Sequence, residues 1–221
     1  MDQIIRKLAA ELGQPETYVN NVVDLMDEGN TIPFIARYRK ELHGGMDDTT
    51  LRTLADRLQY LRNLDKRKAE VERSISEQGK LTEALSAALS AAATLAEVED
   101  LYRPHKPKRR TRASMAREKG LEPLADLLFA QAPDCPEPLT AAGDYVDPEL
   151  GVETAEDALS GASDIIAERI SDDPELRKAL RKLYETKGFL VSRAKAEEPE
   201  DTVYRLYYEF RTPVARAQGH Q

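Results

Sequence analysis

Apolar positions along the leading half recur at helical spacing. Ile4, Ile5, Leu8 and Leu12 form one stripe, and Gly13 stops it. Pro15 suits the first residue of a second helix. That helix places Val19, Val22, Val23 and Met26 on one face and ends near Gly29. A short third helix holds Ile32, Phe34, Ile35 and Tyr38, with Pro33 in its first turn, and His43, Gly44 and Gly45 break it. Helices this short, joined by turns this tight, read as a helix-turn-helix-like start or as a plain three-helix packing unit. A long helix follows, capped by Asp47, Asp48 or Thr49. Leu51, Leu54, Leu58, Leu61, Leu64, Val71 and Ile75 track its apolar side, and neither Gly nor Pro occurs from Leu51 to Gln78. At about 1.5 Å per residue it is a rod of roughly 40 Å. It is a coiled-coil seam or a spine packed by neighbours; the heptad breaks at Asp65 and Lys68, which favours the spine. Gly79 ends it.

Leu81 to Ala93 is Ala-rich and helical, and Leu95 to Leu101 makes another short helix. From Arg103 to Ser114 the pattern stops, because Pro104 and Pro107 oppose regular structure. Helices resume over Met115 to Lys119 and Leu121 to Gln131. Pro133, Pro136, Pro138 and Pro148 mark the loosest stretch, Ala132 to Gly151, and a subdomain boundary is expected there. Thr154 caps a helix carrying Leu159, Ala162, Ile166 and Ile170, in which Gly161 signals close helix packing. Asp173 and Pro174 open a helix through Leu180, Leu183 and Tyr184 that Gly188 ends. Phe189 to Val191 reads as extended. Val203 to Phe210 fits either a strand or a helical turn, and Ala194 to Thr202 a surface loop. The tail from Pro213 to Gln221 has no anchor of its own, and the expectation is of a chain that continues beyond it.

The fold class is therefore all-α or mainly α: a multi-helix region with a long spine helix and a short extended or β segment near the C-terminus. Three stretches are expected: a helical region over 1–131, a second helical subdomain over 132–188, and an extended segment over 189–221.

Composition narrows the function. Apolar residues are 41% and charged residues 33% of 221, a globular balance with a heavily charged surface. No run approaches the roughly 18 apolar residues of a membrane span. Cys135 is the only cysteine, so an internal disulfide or a multi-cysteine metal site is excluded, and a cytoplasmic location is expected. The three histidines, His43, His105 and His220, pair with nothing at metal-ligand spacing. There is no phosphate loop and no GxGxxG. Cys135 lies between prolines in an acidic loop, a poor setting for a nucleophile. The expectation is of no enzyme, no cofactor and no metal.

The net charge of −8 hides an uneven distribution. Met1 to Tyr102 carries −5 and Gly120 to Gln221 carries −10, whereas Arg103 to Lys119 carries +7. Lys106, Lys108, Arg109, Arg110 and Arg112 fall within seven residues, and Arg117 and Lys119 follow on the next helix. These seven are the candidate nucleic-acid contacts, since guanidinium groups suit bidentate phosphate contact and Tyr102 could stack on a base. Two alternatives stand beside this: a solvated loop, or an internal hub pairing with the chain's own excess acid. A second basic group, Arg37, Arg39 and Lys40, reads as a snorkelling helix end.

Four blocks resemble one family. TIPFIARYRKELHGGMD (Thr31 to Asp47), EQGKLT (Glu77 to Thr82), EDLYRPHKPKRRTRASMAREKGLEPLAD (Glu99 to Asp126) and YVDPELGVETAEDAL with SGASDIIAERISDD (Tyr145 to Asp173) are similar to the bacterial Tex transcription accessory proteins, in the family's order and spacing. The resemblance implies the helical N-terminal region of such a protein, with the last residues similar to the lead-in to a YqgF-like, ribonuclease-H-type domain. That domain, the helix-hairpin-helix elements and the S1 domain lie outside the resemblance. The family is related to a eukaryotic elongation factor that is also a histone chaperone. It implies association with RNA or DNA during transcription, chiefly through S1. The alternative is a protein-docking module for RNA polymerase or other transcription proteins, in which the acidic helices and the first three helices make the contact.

Overall fold

The computed structural model describes residues 2–107, 110–195 and 202–219. Among them are twelve α-helices and one two-stranded antiparallel ribbon, a mainly α architecture. None of the described helices is long and apolar enough to cross a membrane. The chain divides into two compact units, Met1–Val98 and Glu99–Gln221.

The first unit contains α1 (Asp2–Leu12), α2 (Glu16–Asp27), α3 (Ile32–Tyr38), α4 (Lys40–His43), α5 (Asp48–Glu77) and α6 (Glu83–Ala91). The helical stripes converge as their spacing requires. Ile5, Leu8, Val19, Val22, Val23 and Ile35 share one core with Leu51, Leu54, Leu58 and Leu61 of α5. Asp47 caps α5 by accepting a hydrogen bond from the Thr50 backbone N–H at 2.7 Å. Leu64, Val71 and Ile75 continue the buried stripe beyond that core. On that half, Lys68 reaches the Ser90 carbonyl at 2.7 Å, and the Ser86 hydroxyl donates to Glu72 at 2.6 Å. The helix is thus a spine packed by its own chain. Two bidentate pairs brace it, Arg57 to Glu11 of α1 and Arg62 to Asp27 of α2. Each guanidinium bond outweighs partial burial and holds its carboxyl below the usual carboxylate range.

One expectation here needs correction. The third helix does not run to His43. Arg39 leaves helical geometry at φ −131° and ψ 36°, and a separate turn, α4, follows. Gly44 ends that turn in the left-handed region, at φ +61°, where a Cβ would overlap the Tyr18 ring. His43, the last residue of that turn, is buried. Arg39 lies over the Phe34 ring, 5.0 Å from its centroid, as a snorkelling helix end would.

α7 (Leu95–Tyr102) carries the division between the units. The second unit contains α8 (Arg112–Glu118), α9 (Glu122–Ala130), α10 (Pro138–Gly143), α11 (Ala155–Asp172) and α12 (Pro174–Lys187). Its core is built largely from small side chains: Ala113, Ala116, Ala125, Ala141, Ala142, Ala158 and Ala162, with Leu121, Leu124, Val152 and Ile165. Small residues let the helices approach closely. A Cβ on Gly161 would overlap Leu121 and press on Ala116, so this glycine does mark close packing.

Two proline-rich stretches are more regular than their composition implies. Arg103–His105 forms a 3-10 turn, and α8 begins at Arg112 instead of Met115. Pro104 fits a first turn, and Thr111 with Ser114 closes a capping box that nucleates α8. Likewise Pro138 opens α10 inside the stretch expected to be loosest, and Pro148–Leu150 forms a second 3-10 turn. Helices on both sides of that stretch share one core.

The extended segment is β1 (Phe189–Arg193), paired antiparallel with β2 (Glu209–Pro213). Phe189 lies opposite Pro213 and Arg193 opposite Glu209. Val203 to Phe210 resolves into both alternatives, a 3-10 turn at Arg205–Tyr207 and then the start of β2. Pro213 and Val214 are anchored, contrary to expectation, since the Val214 N–H donates to the Gly188 carbonyl at 2.9 Å.

Candidate nucleic-acid interface

Three features of the second unit position the basic segment: the 3-10 turn after α7, the capped start of α8, and the flank of α11. Asp164, Glu168 and Asp172 follow one another at intervals of four on α11, so they form one stripe about 6 Å apart per step. The stripe borders the buried face that carries Ala158, Ala162 and Ile165. Each acid meets a basic residue of the segment. Arg103 donates to Asp172 at 2.7 Å. Arg117 meets Glu168 and Glu122, each at 3.3 Å, and the Thr111 hydroxyl donates to Glu168 at 3.4 Å. Arg112 lies 3.4 Å from Asp164. A cleft of about 440 Å³ runs between segment and stripe, lined by Arg103, Lys106, Arg112, Asp164, Glu168 and Asp172 among others.

The seven candidate contacts separate into groups. Lys106 is exposed and has no ion pair among the described residues. Lys108 and Arg109 lie outside the described residues. Arg110 is 74% exposed, with Glu118 at 3.8 Å. Arg112 remains 82% exposed although Asp164 holds it. Arg117 is held between two acids, and Lys119 donates to the Gly151 carbonyl at 2.6 Å. The segment is therefore anchored on both sides, by Arg103 before and by Arg117 and Lys119 after, with Lys106 and Arg110 outward between them. Arg112 lies between Arg110 and Arg117 in sequence.

A second ionic cluster escapes sequence reasoning. Asp100 of α7 is 4% exposed and accepts hydrogen bonds from Arg177 and Arg181 of α12, both at 2.6 Å. Burial pushes its carboxyl upward, but the two guanidinium bonds and their charges outweigh this and hold it below the usual carboxylate range. The spacing of Arg177 and Arg181 puts both on one face of α12, and the four-residue interval of the α11 acids is equally visible. Nothing in the sequence matches either set to its partner.

No group of three or more His, Cys, Asp or Glu side chains among the described residues is placed to hold a metal ion. Cys135 is half-buried, with its sulfur 3.9 Å from the Leu127 carbonyl oxygen.

Comparison with known proteins adds a second line. Residues 2–76 match the family model of the Tex-like protein N-terminal domain, and residues 134–221 match the Tex central region. Protein YhgF of Escherichia coli (strain K12) is 45% identical over 221 residues, covering all of this chain and 28% of its own length. Transcriptional accessory protein Tex of Neisseria gonorrhoeae is 45% identical over 219 residues, 99% of this chain and 28% of its own. S1 RNA-binding domain-containing protein 1 of Homo sapiens is 30% identical over 210 residues, 91% of this chain and 21% of its own. The chain spans less than a third of the length of each.

Proposed function

Since the chain belongs to the Tex family, we propose that it forms the helical scaffold of a cytoplasmic transcription accessory protein that associates with RNA or DNA and performs no chemistry of its own. One observation carries the reading: the densest positive block of an acidic chain is fixed on α11 through Arg103 and Arg117 and turned outward between them at Lys106 and Arg110. Phosphate contact falls to this outward part, with Lys108 and Arg109 between the two in sequence. Arg117 and Lys119 hold the segment in place. The names of two relatives, one a transcriptional accessory protein and one an S1 RNA-binding domain-containing protein, support the association.

The test is a fluorescence anisotropy titration of the chain against labelled single-stranded RNA and duplex DNA, at low and physiological salt. A variant carrying K106E, K108E, R109E and R110E runs beside it, checked by circular dichroism. Binding is expected to weaken steeply with salt, with a log–log slope of about −0.7 per phosphate contact on a single strand, and to be lost in the variant. A folded parent that binds neither nucleic acid overturns the reading. The function then passes to protein docking, for which the face of α12 carrying Leu176, Leu180, Leu183 and Tyr184 offers exposed apolar surface.

A further inference from the structure

The three ion pairs along α11 are not equivalent. At the α12 end, Asp172 is 11% exposed, and Arg103 holds it at 2.7 Å. In the middle, Glu168 is 14% exposed and Arg117 35%. At the far end, Asp164 is 27% exposed, Arg112 is 82% exposed and their separation is 3.4 Å. The exposure of the acids rises along the stripe as the pairs lengthen, while Arg103 and Arg117 are 46% and 35% exposed. The first pairs are built into the unit. The last is a solvated contact of a kind that contributes about 0–1 kcal/mol to stability. What the last pair does control is charge. Asp164 occupies a guanidinium in the same cluster as the outward residues of the basic segment.

A carboxylate and a phosphate are alternative partners for the same guanidinium geometry. A strand lying against Lys106, Arg110 and Arg112 competes with Asp164 for Arg112, and it must also accept the repulsion of a row of carboxylates at intervals of about 6 Å. We propose that the acidic stripe of α11 is an internal competitor for the phosphate backbone, with Asp164 occupying Arg112 and the neighbouring Glu168 adding its charge against an approaching strand, so restraining the affinity of the basic segment for nucleic acid. This rests on the nucleic-acid reading given above. It assigns the stripe a regulatory role: the segment binds a polyanion only when the polyanion outcompetes the chain's own acids. Binding is thereby biased towards high local phosphate density.

The experiment repeats the titration with D164N, D164N/E168Q and D48N, using a labelled single-stranded RNA of about 20 nucleotides. Asn and Gln keep the size and an acceptor oxygen for the arginines while removing the charge. D48N is the control, because Asp48 pairs Arg52 at 2.7 Å in the first unit and its removal changes net charge equally. D164N is expected to tighten binding about two- to fivefold, the range a surface pair spans. The double variant tightens it further and steepens the salt slope by about one phosphate contact. D48N leaves both unchanged. Equal shifts in D164N and D48N, or no shift in either, overturn the competitor while leaving the nucleic-acid reading intact. Absence of binding by the parent and every variant overturns both. If the double variant loses its helical signal, D164N decides alone, since its pair is the solvated one.

Discussion

Replacing Asp100 by Asn tests whether the ionic cluster between α7 and α12 holds the second unit together. The carboxylate is almost fully buried and accepts two guanidinium bonds of 2.6 Å. Asn keeps the shape but removes the charge, and its amide presents donors to one arginine. Breaking a fully buried pair costs about 3–5 kcal/mol. Arg177 and Arg181 are about a third exposed, so water recovers part of that, and about 2–3 kcal/mol remains. The assay is urea denaturation of the full chain followed by circular dichroism, with one transition fitted for each unit. The pH dependence supplies a second check. Because the folded carboxyl is held below its ordinary value, its contribution is fully present above the unfolded value of about 3.9 and is lost as pH falls from there through the folded value. The gap between parent and variant is therefore flat from pH 7 to about 5 and closes under stronger acid. A gap below about 0.5 kcal/mol at neutral pH, or one that widens on acidification, refutes the reasoning.

Two further substitutions probe how the basic segment is mounted. Gly161→Ala on α11 gains up to about 1 kcal/mol of helix propensity but forces a methyl against Leu121 and Ala116 at a cost of about 1–3 kcal/mol, so the thermal midpoint of the chain should fall. Thr111→Ala removes the cap of α8 and its bond to Glu168, and should cost about 1 kcal/mol. Faster hydrogen exchange confined to the first turn of α8 is the expected readout.

The helical stripes were legible because each one is a local pattern. Leu51 through Ile75 reads as one buried line before any partner is known, and it is one. Composition alone misleads at the prolines. Pro104, Pro138 and Pro148 have the look of breakers, yet each stands in the first turn of a helix, where its missing N–H costs nothing. The break at Arg39 had no visible signal, as no Gly or Pro marks it. The basic segment was legible as a charge block, but its division into outward and anchored parts was not. That division depends on Asp164, Glu168 and Asp172, more than 40 residues away in sequence, and only the packing of α8 on α11 brings them into reach.

The length of α5 carries a consequence of its own. Leu51 to Leu61 belong to the core shared with α1, α2 and α3, while Lys68 and Glu72 hold α6, so one rod of 30 residues is clamped at two places. A helix turns about 100° per residue. A single residue inserted between Leu61 and Lys68 would leave both clamps chemically intact and set them out of phase, so that only one could close. An insertion of seven residues would restore the facing to within about 20° while moving the clamps about 10 Å further apart. The spine thus acts as a gauge, fixing distance and angular phase together, and length variation within it is confined to steps of about two helical turns.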